Sequence, residues 1–237
     1  MPEEEERYRP YPFAGGLIYL DIDESPMMRR RAENAYEPHK VAAVQRLLRS
    51  GGTFVDAGSN KGDFALIAAR TAGPRGRVVA IEPSPANCRW IRRSVELNGY
   101  SNVELHELAL SDAEGEAPLY LAERSGWHSL LPGEGAAVIV RTRTLDGLLE
   151  ELSCPPPDML KVDVEGAELA VLAGAVRTLE AGGERWILLD VHPDRGVDPV
   201  VVAERLRSHG FEPRNPQDPE QVLAVTARTD ELFAFRG

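Results

Sequence analysis

"TFVDAGSNKGDFALIAARTAGPRGRVVAIEP", Thr53 to Pro83, is the stretch on which the fold turns. "TFVDAG" reads as a buried strand because Phe54, Val55 and Ala57 leave it almost wholly apolar. "DFALIAARTA" carries good helix formers, and "GRVVAIEP" returns to β-branched residues and ends on an acid. Strand, glycine loop, helix and second strand make a βαβ unit, so the strands run parallel with helices covering the faces of the sheet.

The same alternation continues downstream. "PANCRWIRRSVELNG" reads as a helix closed by Asn98-Gly99, and "NVELHELAL" as a third strand. After a looser segment from Ser111 to Gly135, "AAVIVRTRTLDGLLEEL" gives an edge strand and a helix. "DMLKVDVEG" and "AELAVLAGAVRTLEAG" repeat strand and helix, as do "RWILLDVHP" and "DPVVVAERLRSHG". "QVLAVTA" and "ELFAFRG" close the chain as an antiparallel pair. Upstream, "PHKVAAVQRLL" puts Val41, Val44, Leu47 and Leu48 on one helical face, and Ser50-Gly51-Gly52 stops it. Residues 1–16 are charged and then rich in Pro, Tyr and Gly, which reads as a mobile tail and irregular lead-in before the short strand "GGLIYLDI". The expected architecture is a three-layer, Rossmann-like α/β sandwich with a seven-stranded, mostly parallel sheet and a C-terminal antiparallel pair. Residues 1–37 form the lead-in, a candidate lid or homodimer contact, and residues 38–237 form the main domain.

At 237 residues the chain suits one large domain. Its net charge is -11 and its only lysines are Lys40, Lys61 and Lys161. Such a surface repels phosphate backbones, which argues against a nucleic-acid partner. Cys88 and Cys154 stand outside any CxxC or zinc-ligand spacing and read as buried free thiols. The acidic start lacks the apolar core of a signal peptide, and no apolar run approaches the ~20 residues of a membrane span. The expectation is a cytoplasmic protein with no membrane contact.

The loop after the first strand, "VDAGSNKGDF", has Asp56 two residues before Gly58, then Ser59, Asn60 and Gly62. In open α/β sheets ligands lie beyond the carboxyl ends of the strands, and glycines there admit close approach. A dinucleotide loop would read GxGxxG; this one reads GxNxG behind an acid, which suits a cationic ligand better than a pyrophosphate. Glu82 ends the second strand, followed by Pro83 and Ser84, near the separation at which such an acid accepts hydrogen bonds from ribose hydroxyls. Together the two acids favour S-adenosylmethionine. The third strand tip, with Glu107 and the backbone of Ala109 and Leu110, is expected beside the adenine.

The chain resembles the FkbM family of S-adenosylmethionine-dependent methyltransferases. The resemblance rests on "YEP" at Tyr36 to Pro38, "FVDAGSNKGDF", "IEPSPANC", "ALSD" at Ala109 to Asp112 and, most specifically, "LKVDVEGAE" at Leu160 to Glu168. Asp190 in "LLDVHP" departs from the glutamate expected near the end of the fifth strand. The resemblance implies a class I methyltransferase domain, and methyl transfer to a small-molecule acceptor, usually a hydroxyl of a sugar, lipid or secondary metabolite, without a required metal.

Residues point the same way. Lys161, Asp163 and Glu165 alternate along one face of the fourth strand, toward its carboxyl end. Carboxylates on a central strand are costly unless paired or used. Glu168 falls where a helix dipole favours an acid and reads as a helix-start residue. Asp163 serves both as a cofactor contact and, with Glu165, as a candidate catalytic acid. A hydroxyl needs a base, worth about 10²–10⁴-fold. His192 after the fifth strand is the first candidate, His128 in the loop segment the second, and Glu37 a third contributor to the pocket. His192 with Asp190 or Asp163 lacks a third clear ligand for a metal, so none is expected. Arg124, Arg141 and Arg143 are candidate contacts for an anionic acceptor. N- or carboxyl-methylation, a dinucleotide oxidoreductase and a silent cofactor-binding protein are the rival readings.

Overall fold

The computed structural model describes residues 6–122, 127–133 and 136–237. The chain opens with an antiparallel hairpin, β1 (Arg9–Phe13) and β2 (Gly16–Leu20), and two helices, α1 (Pro26–Ala32) and α2 (Pro38–Leu47). The alternation follows: β3 (Thr53–Ala57), α3 (Asp63–Ala72), β4 (Arg77–Ile81), α4 (Pro85–Asn98) and β5 (Val103–His106). Next come the short strands β6 (Ala109–Leu110), β7 (Gly115–Tyr120) and β8 (Ala137–Arg143), then α5 (Leu145–Glu151) and β9 (Met159–Val162). Helices α6 (Glu168–Ala173) and α7 (Val176–Glu180) precede β10 (Arg185–Asp190) and a 3-10 turn, Pro193–Arg195. The chain ends with α8 (Pro199–Ser208), β11 (Glu212–Asn215), β12 (Asp218–Val222) and β13 (Glu231–Arg236).

The main sheet has eight strands in the order β12-β11-β13-β10-β9-β3-β4-β5. The block from β10 to β5 is parallel, and β13, β11 and β12 extend it antiparallel. The α/β class matches the expectation, with one strand more than the seven anticipated. Val222 belongs to β12, which pairs with β11, so "QVLAVTA" does not partner β13. The partners of β13 are β10 and β11.

From β3 the chain builds outward to β4 and β5 and then returns to lay β9 on the other side of β3. Where the strand order reverses, the connecting loops diverge and leave a crevice at the carboxyl ends. Here that point falls between β3 and β9. One face of the sheet packs Phe54, Val78 and Met159 against α2 and α3; the other packs Val55, Val79 and Leu160 against α5, α6, α7 and α8.

Two segments differ from the sequence expectation: "NVELHELAL" splits in two, and β8, expected as an edge strand, is the central strand of a sheet of its own. "NVELHELAL" divides at Glu107: β6 leaves the main sheet and pairs with β8 in a separate three-stranded sheet with β7. Along β8, Val140 and Thr142 are buried while Ile139 and Arg141 are exposed, the alternation of a strand with one solvated face.

The N-terminal segment is built into the domain from Arg7 onward. Tyr8 stacks on Trp90 of α4 with ring centroids 3.9 Å apart. Backbone N–H groups of Leu17 and Tyr19 donate to Asn98 Oδ1 and Ser94 Oγ on the same helix. Arg31 of α1 makes two buried hydrogen bonds, 2.8 and 2.9 Å, to Asp63 at the start of α3. Among the described residues no helix is long and apolar enough to cross a membrane.

Candidate active site

The crevice at the switch point is lined by Gly58, Asn60, Glu82, Pro83, Ala109 and Asp163, and encloses about 580 Å³ with its mouth included. Side chains of Leu108, Leu110, Leu119 and Leu130 make an apolar slot at one end, and His128 borders it. Glu82 is the polar floor, only 4% exposed. Its Oε1 accepts from Ser84 N and Asn87 Nδ2, and its Oε2 from Asn60 N. Burial pushes this carboxyl up to about 7, against the opposing pull of those donors.

Gly58 (φ +80°) is where the loop glycine is indispensable. A Cβ there would stand 1.8 Å from the carbonyl oxygen of Asp163, because the β9 tip crosses directly over the loop. The glycine thus makes room for the protein's own chain as well as lining the crevice.

Several sequence candidates lie outside the lining. Asp56 is 1% exposed and paired in strand register with Lys161, whose Nζ is 3.7 Å from its Oδ1. Its carboxylate balances a buried lysine, and burial raises its pKa, partly opposed by Lys161. It lies behind the crevice lining and not in it. Ser59 is consumed by backbone bonds to Asp56 O and Ile81 N. Gly62 packs against Ile91 at the start of α3, and Ser84 caps α4. Glu107 pairs with Arg92 at the surface, turned away by the kink after β5.

Glu82 and Asp163 both line the crevice, and Asp163 and Glu165 are shared with a second cleft of about 840 Å³ with its mouth included. That cleft is lined by Met27, Tyr36, Glu37, Asp190 and His192. Glu165 sits at φ +54°, followed by Gly166 at φ +105°, where a Cβ would strike Leu131 at 2.5 Å. The turn brings Asp163, Glu165 and His192 together, each offering a ligand-capable atom within 4.8 Å of the others. His192 Nε2 lies 3.8 Å from Asp163 Oδ1 and 3.5 Å from Glu165 Oε2. Glu165 supplies the third partner that the sequence reading lacked for a cation.

Electrostatics follow from the crowding. Burial raises the Asp163 carboxyl, but Lys161 at 3.3 Å, Lys40 and His192 outweigh it and hold it below its usual range. Burial and then Asp163 lift Glu165 to about 7. Burial lowers the His192 imidazole, yet the hydrogen bond to Glu168 and the charges of Glu165, Glu168 and Asp163 reverse this and raise it to about 9. Asp190 is also lifted to about 7, by burial and then Asp163, while Lys40 Nζ holds its Oδ1 at 2.6 Å.

Sequence reasoning missed three contributors. Glu168 does start α6, but its side chain is fully buried, and Oε1 accepts from His192 Nδ1 at 2.7 Å. Ser129 Oγ donates to Glu165 O at 2.6 Å and ties the loop segment to the turn. Arg195 Nη2 reaches Glu165 Oε2 at 3.0 Å. A buried acid inside the apolar run "AELAVLA" was the available signal for Glu168. Glu37 lies in the second cleft with Oε1 3.0 Å from Lys40. His128 Nδ1 accepts from Ala122 N, on the side of the apolar slot. Arg143 pairs with Glu114 and Glu151, Arg141 is exposed on β8, and Arg124 lies outside the described residues.

A model of the FkbM methyltransferase domain matches residues 56–213. Methyltransferase sdnD of Sordaria araneosa is 30% identical over 225 residues, covering 78% of this chain and 84% of that protein. Methyltransferase 1 of Beauveria bassiana is 32% identical over 158 residues, 57% of this chain and 61% of its own length. The 31-O-demethyl-FK506 methyltransferase FkbM of Streptomyces tacrolimicus is 25% identical, covering 92% of this chain and 95% of that protein. Among solved structures, Aeropyrum pernix fibrillarin with natively bound S-adenosyl-L-methionine superposes with a TM-score of 0.50 at 16% identity, covering 96% of this chain and 81% of that chain. An M. jannaschii protein in complex with AdoMet gives 0.54 at 12% identity, covering 97% and 84%. At these identities the superpositions speak for the fold.

The crevice fits the cofactor on its own chemistry. Glu82 retains free acceptor capacity for a ribose diol, the leucine slot suits a purine, and Asn60 Oδ1 is buried without a partner among the described residues. Asp163 adds a negative end for a cationic group. S-adenosylmethionine supplies the electrophilic methyl when bound. With a family model spanning most of the chain and a crevice of matching chemistry, the chain belongs to the FkbM family of methyltransferases and is an S-adenosylmethionine-dependent enzyme.

Proposed function

We propose that this enzyme methylates a hydroxyl oxygen of a small-molecule acceptor such as a sugar, glycolipid or secondary metabolite. The observation that carries the reading is the convergence of Asp163, Glu165 and His192 where the cofactor crevice opens into the second cleft. Methyl transfer is an in-line displacement: an O–C bond forms as the C–S bond breaks, and its electron pair stays on sulfur. The hydroxyl must shed its proton as this happens, so the acceptor oxygen belongs beside groups that bind protons or cations. Among the described residues, Asp163, Glu165 and His192 bring such groups together at this corner. His128 borders the slot and serves as a wall of the cofactor crevice.

Carboxylates outnumber Lys40 along the second cleft, so an anionic acceptor is repelled and carboxyl methylation is disfavoured. The same lining suits a protonated amine, which makes N-methylation the second reading. Incubating the protein with methyl-labelled cofactor and a panel of alcohols, amines and acids, with mass spectrometry of the products, separates them. Label in a product stable to acid and base, at an oxygen, is the expected result. Label found only in base-labile esters or at nitrogen would refute it.

A further inference from the structure

We propose that Asp163, Glu165 and His192 form a binding site for a divalent metal ion. Their spacing is the first argument. His192 Nε2 stands 3.5 Å from Glu165 Oε2 and 3.8 Å from Asp163 Oδ1, too far for hydrogen bonds of about 2.7–3.2 Å. Ligand atoms about 2.0–2.4 Å from one tetrahedrally placed ion stand about 3.3–3.9 Å apart, so both distances match the edges of a coordination polyhedron.

The second argument is the group behind the ring. Glu168, 0% exposed, accepts from His192 Nδ1 at 2.7 Å, which turns Nε2 toward the two carboxylates. A carboxylate holding the far nitrogen of an imidazole is the usual support of a metal-ligating histidine. Glu168 Oε2 is itself buried and accepts no hydrogen bond from the described residues, so the His192 ring is this carboxylate's one side-chain partner among them. One imidazole and two carboxylates suit a divalent ion such as Mn²⁺ or Zn²⁺, and three protein ligands leave positions open.

Competing cations are already in place and define the test. Arg195 Nη2 lies 3.0 Å from the ligand oxygen of Glu165, and Lys161 Nζ lies 3.3 Å from Asp163 Oδ2, the oxygen facing away from His192. An ion must displace Arg195, whose side chain is a quarter exposed and reaches solvent, but not Lys161.

The use of the site rests on the hydroxyl-transfer reading; its geometry does not. An ion there would hold the acceptor oxygen beside the methyl carbon and ease loss of its proton to water. Calorimetry and electron paramagnetic resonance on chelator-stripped full-length protein, titrated with Mn²⁺ and separately with Zn²⁺, provide the test. One site per chain is expected in the wild type and in Glu107→Gln, which lies outside both clefts. Asp163→Asn, Glu165→Gln and His192→Ala should each weaken it at least tenfold while circular dichroism and thermal unfolding show the protein folded. Arg195→Ala should tighten it severalfold. No saturable binding at millimolar ion, or equal binding in all variants, would overturn the site. Methylation of a hydroxyl at full rate after chelation would overturn only its use, and a metal-loaded protein that methylates nitrogen alone would overturn only the hydroxyl reading.

Discussion

Glu168 Oε1 is 2.7 Å from His192 Nδ1 and 2.9 Å from the N–H of Gly166, so one buried carboxylate joins the tip of β10 to the turn after β9. The two strands are neighbours in the sheet, and their loops diverge beyond it. The carboxylate is what keeps the imidazole facing Asp163 and Glu165 across that divergence. Its burial follows from its place at the first turn of α6, where Val171 and Leu172 go into the core.

Replacing Glu168 by Gln keeps the volume but gives His192 a weaker partner. Turnover should fall about 10–100-fold with the cofactor dissociation constant unchanged, because the lost contact lies on the acceptor side. The change should also alter the pH–rate profile, which a purely structural effect would leave in place. Glu168→Ala should further cost about 1–3 kcal/mol by removing the partner of a partly buried histidine. Steady-state kinetics across pH, with calorimetry of cofactor binding, checks both.

Glu82 predicts opposite pH trends for stability and for cofactor affinity. Its folded pKa of about 7 lies above the ordinary 4.5, so the folded protein holds this proton more tightly than the unfolded chain does. Its contribution to stability is present below about pH 4.5 and is lost as pH rises through about 7. The ribose diol binds the carboxylate form, so cofactor affinity should rise over the same window, by at most about tenfold per pH unit. Calorimetric titrations between pH 6 and 8.5 should show the rise, and Glu82→Gln should bind weakly with no such trend. A flat profile in the wild type would remove Glu82 from the ribose site.

The Gly58→Ala substitution tests whether the β9 tip is fixed by the loop it crosses. A Cβ at φ +80° and 1.8 Å from Asp163 O is both strained and overlapping. Together these should cost roughly 2–5 kcal/mol. Denaturant unfolding should show it, and surviving folded protein should bind cofactor poorly because Asp163 is displaced. Unchanged stability would mean that the β9 tip yields easily.

What the sequence made legible tracks how local each feature is. The pattern from Thr53 to His106 is carried by each segment's own periodicity, so strands β3 to β5 and their helices could be read directly. The partner of a strand is a long-range matter. Nothing local in "AAVIVRTR" says that β8 joins β6 and β7 and leaves the main sheet. Likewise "RPYPF" carries two prolines, poor strand residues, yet pairs as β1 because β2 and α4 hold it. At the site, Asp163, Glu165 and His192 were visible as polar residues at strand ends, where apolar ones are expected. The burial of Glu168 and Asp56 was not legible for one reason. An acid beside a helix start or a glycine loop carries no local sign that the tertiary fold buries it against His192 or Lys161.

The buried pair of Arg31 and Asp63 carries the last prediction, because it fastens α1 to the helix that follows the cofactor loop. Both side chains are nearly inaccessible, and the guanidinium also lies 3.8 Å from the centroid of Tyr36. Replacing Arg31 by Met leaves a buried carboxylate without its partner, which should cost about 3–5 kcal/mol. Adding Asp63→Leu removes the stranded charge and should recover most of that loss, since an apolar pair of similar volume is often as stable. Helix α1 also carries Met27, part of the second cleft's lining, and α2 begins just beyond it. The double variant should therefore keep its cofactor affinity but show a raised acceptor KM, because the salt bridge no longer fixes the angle of α1. Thermal unfolding of the single and double variants, followed by kinetics on the double, tests the two halves separately. If Arg31→Met were as stable as the wild type, the N-terminal segment would be held by its other contacts, among them the Tyr8–Trp90 stack, the β2–α4 contacts and the bonds of Lys61 to Tyr8 and Glu24.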